Sequence, residues 1–321
     1  ITSVCFYEKP FKSWWEIFKY SMKKPYENKQ FLKHHLQSFN SGSTFFYTHL
    51  NKVIKIPRAK ILYSSHHLSH ALYGALYVKN PAEYVFVTCD GVGEGESMAI
   101  YSIDNNNLIR KHWTNFYPNS LGLFYSAITE YLGFNINDGE FKVMSLSSYG
   151  KPIYEDQMSK IFDSENFTIN KSYFDFQKNP KQSFSSKFLS TFGKPYLDLS
   201  VKKNFETYSN IACSAQIILK KTMKNLINKA MKITGKKKIV LTGGVALNCK
   251  LTYELSKENL FKELLVPPSP GDAGSAIGAT NLSYYIENKQ FLNSPGLFPG
   301  PSKKNININF KVDEFFKRIS S

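Results

Sequence analysis

Three of the seven histidines in this chain of 321 residues fall within five positions, His66, His67 and His70 in SSHHLSHALYGA. Positions four apart on a helix share a face about one turn apart, so His66 and His70 can aim their rings at one point. That is the spacing of two metal ligands. A carboxylate would complete a two-histidine, one-carboxylate set, which suits Fe(II) or another divalent ion with positions left open for substrate. Asp272, at a turn in VPPSPGDAGSAIG, can supply that carboxylate, although an aspartate there also serves as a plain helix N-cap. The histidines have a plain alternative too, hydrogen bonding within the first turn. KHHL at 33–36 lacks a partner at i+4 and is an internal control with no special role expected.

Two glycine turns follow apolar strands. CDGVGEGES brings Asp90, Gly91 and Gly93, and LTGGVALN brings Gly243 and Gly244. Glycine lets backbone approach a phosphate and presents free N–H groups, while an aspartate at such a turn can hold a metal ion or a ligand hydroxyl. Phosphates also sit well at helix N-termini. Neither turn is GxGxxG or GxxxxGK[ST], so the dinucleotide and P-loop fingerprints are absent. An ordinary glycine hairpin explains the first turn equally well. Two such turns together suit a two-lobed nucleotide cleft.

The elements that must carry these residues are legible in part. Residues 59–65 are β-prone and lead into a helix whose Leu68, Ala71, Leu72, Ala75 and Leu76 form an apolar stripe, with His66 and His70 on its other face. Residues 83–116 read as a three-stranded meander, 119–134 as a helix and 137–152 as loop-rich. The stretch 154–203 resists assignment and is expected to be an insertion or a mobile region. A long helix is expected over 208–234, then a strand ending in Gly243 and Gly244, a helix over 246–259, a short strand at ELLVPP and a helix through GDAGSAIGA. Residues 1–41 have aromatic helical character without a preceding strand.

Composition narrows the class. With 42% hydrophobic and 15% aromatic residues the chain can build a sizeable core. No run of eighteen apolar residues and no charged segment before an apolar one appears, so a cytoplasmic protein without a membrane span is expected. Cys5, Cys89, Cys213 and Cys249 form no CxxC pair, which argues for reduced thiols and against a zinc ribbon. The net charge of +16 comes almost wholly from lysine, with Arg58, Arg110 and Arg318 the only arginines, and reads as a solvated surface more than a nucleic-acid site.

Taken in order, YEKPFK, SSHHLSHALYGA, CDGVGEGES, NSLGLFYSAITEYLGF, GEFKVMSLSSYGKP, LTGGVALNCKL and VPPSPGDAGSAIGA resemble the O-carbamoyltransferases of antibiotic and nodulation-factor biosynthesis over about residues 1–300. The resemblance implies an α/β chain of the actin-like ATPase (ASKHA) fold, with two lobes around a nucleotide and metal cleft. It implies carbamoyl adenylate, made from carbamoyl phosphate and ATP with release of pyrophosphate, as donor to a hydroxyl of a sugar or natural product. His66, His70 and Asp272 match that family's metal ligands, with Fe(II) the favoured ion, and His67 becomes a neighbour of the ligands or a surface residue. Gly243, Gly244 and Asn248 would cradle the nucleotide opposite Asp90, Gly91 and Gly93. Glu140 and Lys142 are the expected catalytic residues, Lys142 meeting phosphate.

Departures from the family are SLSSYG in place of a GLAPYG-like form, Thr252 for asparagine and Asn210 for aspartate. The resemblance places a first phosphate loop ahead of Ile1 and a YrdC-like domain beyond about residue 300, so 1–300 is expected to be the actin-like domain of a longer protein and 301–321 a linker. The partners implied are carbamoyl phosphate, ATP and a hydroxylated small-molecule or glycan acceptor, with a homodimer as one assembly, no membrane and no nucleic acid. The competing readings are a tRNA threonylcarbamoyl transferase, which shares the metal ligands, and a degenerate nucleotide-binding module without activity.

Overall fold

The computed structural model describes residues 3–22, 50–52, 57, 60–175 and 182–292. The chain opens with β1 (Val4–Phe6) and α1 (Pro10–Met22), the helix starting on a proline whose missing N–H is no loss in a first turn. β2 (Ile61–Tyr63) pairs in parallel with β1 and passes directly into α2 (His66–Ala75). A strand therefore precedes the aromatic helix, where the sequence suggested none. Three residues carry no periodicity of their own, and β1 exists because β2 offers it an edge from some 57 positions away. The second half of the expected 1–41 helical region, with KHHL, lies outside the described residues.

The main sheet has the order β5-β4-β3-β8-β9. β3 (Tyr84–Gly93), β4 (Glu96–Ile103) and β5 (Ile109–Phe116) form the expected antiparallel meander. Beyond it come α3 (Leu121–Tyr131), α4 (Glu140–Leu146), α5 (Glu155–Ile161), the pair β6 (Phe162–Asp163) and β7 (Thr168–Ile169), α6 (Ser186–Phe192) and α7 (Lys202–Thr234). β8 (Lys238–Thr242), α8 (Cys249–Ser256), β9 (Glu263–Leu265) and α9 (Asp272–Asn288) complete the fold, with β8 parallel to both β3 and β9.

Side-chain alternation along β3 explains the layers. Val85, Val87 and Cys89 face the core shared with α3 and α7, and Tyr84 and Phe86 face the smaller core shared with α2. Strands covered on both faces read as continuous apolar runs, as YVFVTC does. The α/β class is the one expected. Among the described residues no second large sheet stands beside the first, and the pair β1–β2 lies against α9, where Ser3 and Ser283 hydroxyls meet at 2.8 Å.

Two further expectations need correction. Residues 137–152 contain a helix, α4, because Val143 and Leu146 at i, i+3 spacing bury one face of EFKVMSL. The described part of 154–203 is an ordered piece of the main core. Phe162, Phe174, Phe184 and Phe188 are fully buried, and Tyr131 and Tyr208 pack beside them, Tyr131 to Phe188 at 4.9 Å between ring centres. Aromatic side chains scattered through a polar sequence have no period to read, yet each buries enough area to hold irregular backbone in place. Among the described residues no helix is long and apolar enough to cross a membrane, and all four cysteines are free.

Candidate metal centre and its cavity

α2 is buried on nearly every side, so the histidine face is covered as well as the apolar stripe; His66 is 4% exposed and His70 0%. Ser65 stands at its N-cap without a side-chain capping bond, and the N–H of His66 donates to Glu94 Oε1 at 3.0 Å. His67 is buried against the sheet, where its Nδ1 meets Thr88 Oγ1 at 2.7 Å. It is no surface residue. Burial and the neighbouring His66 and His70 rings push its pKa down to about 3, so it stays neutral.

α9 meets α2 backbone to backbone. A Cβ on Gly278 would lie 1.9 Å from the Ser69 carbonyl oxygen, so any larger residue there would push the helices apart. Asn281 Nδ2 donates to Leu72 O at 3.0 Å one turn further along. This crossing delivers Asp272, the first residue of α9, to the open side of the histidine pair. β3 delivers Asp90 at its carboxyl end.

The four side chains converge. His70 Nε2 lies 2.9 Å from Asp90 Oδ2 and 3.3 Å from Asp272 Oδ1, and His66 Nε2 lies 3.5 Å and 3.6 Å from the same atoms. The two Nε2 atoms are 3.2 Å apart, and one donor atom from each of the four residues falls within 4.8 Å of every other. Burial disfavours a charged His70, but Asp272 and Asp90 outweigh it and push its pKa up to about 9. Burial likewise opposes ionised Asp90, and its hydrogen bonds to His66 and His70 hold it well below the usual carboxylate range. Two imidazole nitrogens and two carboxylate oxygens are a mixed nitrogen and oxygen set of the kind that holds Fe(II), Mn(II) or Zn(II). Among the described residues neither buried Nδ1 atom has a hydrogen-bond partner, while the Nε2 atoms face the aspartates.

Asp90 and Asp272 form one wall of a cavity of about 690 Å³. Of the other residues singled out in the sequence, Gly91, Gly244, Asn248 and Glu140 line it. Phe141, Met144, Leu219 and Leu247 add apolar side chains to its lining. Gly243 lies just behind, with φ of 95° and no room for a Cβ, which would fall 2.1 Å from the Cys89 carbonyl oxygen. A side chain on Gly244 would reach Asp90 Oδ1 at 2.9 Å.

Three residues have surroundings that the sequence did not foresee. Gly93 is turned to the histidine and away from the cavity, since a Cβ there would sit 2.1 Å from the His66 ring. Lys142 is exposed, with its ammonium 5.7 Å from the rings of Phe134 and Phe141. Asn248 has its amide engaged: Oδ1 caps α8 through Leu251 N at 2.9 Å and accepts from Gln216 Nε2, and Nδ2 donates to Gln216 Oε1. Glu140 Oε1 accepts from Ser126 Oγ and Asn137 N at 2.9 and 3.0 Å, which braces the cavity wall. The sequence did not place Asp90 beside the histidines or Glu94 at the N–H of His66. An acidic residue after an apolar strand is a signal for both, but its direction depends on the helix laid over the sheet.

Residues 6–281 match the family model described as Carbamoyltransferase N-terminus. An uncharacterized protein of Synechocystis is 34% identical over 247 residues, which cover 75% of this chain and 39% of that protein. Nodulation protein NolNO of Sinorhizobium fredii is 28% identical over 70% of this chain and 31% of its own length. Nodulation protein NolO of Bradyrhizobium diazoefficiens is 28% identical over 67% of this chain and 37% of its own. The chain thus spans between 31% and 39% of the length of these relatives. Among solved structures, the activator of 2-hydroxyisocaproyl-CoA dehydratase from Clostridium difficile with bound ADPNP overlaps with a TM-score of 0.45 at 17% identity, over 73% of this chain and 70% of that one.

Proposed function

The chain belongs to the carbamoyltransferase N-terminus family, and from that premise we propose that it houses the transfer step of an O-carbamoyltransferase. In that step carbamoyl adenylate, derived from carbamoyl phosphate and ATP, gives its carbamoyl group to a hydroxyl of a sugar or natural product. The observation that carries the reading is the convergence of His66, His70, Asp90 and Asp272, whose two aspartates line a cavity that Phe141, Met144, Leu219 and Leu247 line as well. A nucleotide needs both environments, one for phosphates and one for a base.

In the proposed complex the hydroxyl oxygen bonds to the carbamoyl carbon, and the bond from that carbon to the adenylate phosphate oxygen breaks. AMP leaves with the electron pair, and the hydroxyl proton passes to a base. His66, His70, Asp90 and Asp272 would hold a divalent ion such as Fe(II), which when bound offsets negative charge on phosphate oxygens. Gly91 and Gly244 keep the approach to Asp90 free of side chains. Phe141, Met144 and Leu247 offer the adenine an apolar seat. Glu140 shapes the wall through Ser126 and Asn137. Lys142, held over two rings outside the cavity, has no part in this reading.

Elemental analysis of the purified protein tests it: about one divalent ion per chain is expected, and less in His66→Ala, His70→Ala, Asp90→Ala and Asp272→Ala. Metal content unchanged in all four variants would sink the reading. The companion assay is mass spectrometry of hydroxylated acceptors incubated with carbamoyl adenylate and the protein, with carbamoylated product as the expected result.

A further inference from the structure

The tip of the hairpin between β3 and β4 carries a residue its backbone does not favour. Glu94 and Gly95 both have positive φ, 55° and 82°, a two-residue turn in which Asn, Asp or Gly is the usual first residue. A glutamate in the left-handed region is strained. Glu94 is nevertheless 3% exposed, and its carboxylate is engaged on both oxygens. Oε1 accepts from the backbone N–H of His66 at 3.0 Å and of Lys9 at 2.8 Å, and Oε2 accepts from Lys12 Nζ at 3.1 Å.

Three elements are joined at that carboxylate: the hairpin, the first turn of α2 and the start of α1. The first N–H groups of a helix have no partner within it, and a negative group there is favoured by the helix dipole. With no side-chain capping bond from Ser65, Glu94 performs the capping from a distance of 28 positions. Its neighbour Gly93 presses on the same residue, because only a glycine leaves room for the His66 ring. Consecutive residues of one hairpin thus fix both the backbone and the ring of His66.

We propose that Glu94 is a positioning residue for the metal centre: by anchoring the N–H of His66 it sets where the His66 ring meets Asp90, Asp272 and His70, and through Lys9 and Lys12 it ties the YEKPFK segment to that geometry. The proposal rests on the divalent-ion reading above. Groups that orient metal ligands typically change affinity by about 10–100-fold when removed.

The test is a Co(II) titration followed by visible absorption, with amide hydrogen exchange of the metal-free protein beside it. Glu94→Gly and Glu94→Asn tolerate the positive φ and lack the reach, so each is expected to bind Co(II) about tenfold or more weakly and to exchange the His66 N–H faster. Glu94→Gln keeps an oxygen at the same reach and is expected to stay close to the parent in both readouts. Lys12→Met is expected to leave His66 exchange unchanged. Parent-like Co(II) affinity and exchange in Glu94→Gly and Glu94→Asn would overturn the proposal, as would a Glu94→Gln protein as impaired as they are. A parent that binds no Co(II) would instead sink the divalent-ion reading, and the exchange measurement would still decide whether Glu94 anchors His66.

Discussion

Asp90 divides its oxygens between two tasks: Oδ1 accepts from Gly91 N at 2.7 Å, and Oδ2 faces His70 and His66. Asp90→Asn keeps the size and the turn while removing a negative donor. It is expected to lower divalent-ion affinity by about tenfold or more, or about 1.4 kcal/mol, as measured by calorimetry with Mn(II). Parent-like affinity would remove Asp90 from the donor set. At this scale the sequence was legible where chemistry follows local geometry. The i, i+4 spacing of His66 and His70 survives into the fold because a helix enforces it. Asp90 was visible as an acid after a strand, but its alliance with the histidines depends on α2 lying across β3, which no local pattern records. Lys142 was the opposite case, a charge next to a motif glutamate whose helix turns it to Phe134 and Phe141.

Among elements, the apolar runs of β3 and β8 and the long helix α7 were readable because length and period agree, whereas β1 and α4 were too short to carry a period. The crossing of α2 and α9 gives the sharpest prediction here. Gly278→Ala puts a methyl where the Ser69 carbonyl stands, and overpacking of this kind costs about 1–3 kcal/mol. Urea denaturation should show that loss, and Mn(II) affinity should fall with it, because Asp272 rides on the displaced helix. A fully stable Gly278→Ala protein would mean the helices are less closely packed than described. At the turn after β8, Gly244→Val would press on Asp90 Oδ1 and narrow the approach to the cavity. Calorimetric titration with ATP or AMP is expected to show weaker binding than in the parent, and equal affinity would count against a nucleotide there.

For the whole molecule, the described part of 154–203 changes from an expected insertion to part of the main core, and that has an energetic signature. Phe188 is fully buried among Tyr131, Phe184 and Phe192, and Phe188→Ala is expected to cost about 3–5 kcal/mol. Its thermal unfolding should move down in one transition with the rest of the protein; a separate early transition would restore the idea of an independent insertion. The lysine excess is partly answered at the surface, where Lys220 and Lys224 pair with Glu258 and Lys238 pairs with Glu83, contacts that add little stability while exposed. The contact of Gly278 with Ser69 has a mechanical consequence. Were α9 to rock about it, the pivot would stand six residues from Asp272 and ten from Asn288, with arms of ~9 Å and ~15 Å along a helix. A sideways shift of 1 Å at the far end of α9 would then reach the ligand end as only ~0.6 Å. The longer arm belongs to the end remote from the chemistry, so the carboxylate would be geared down against motion arriving from that side.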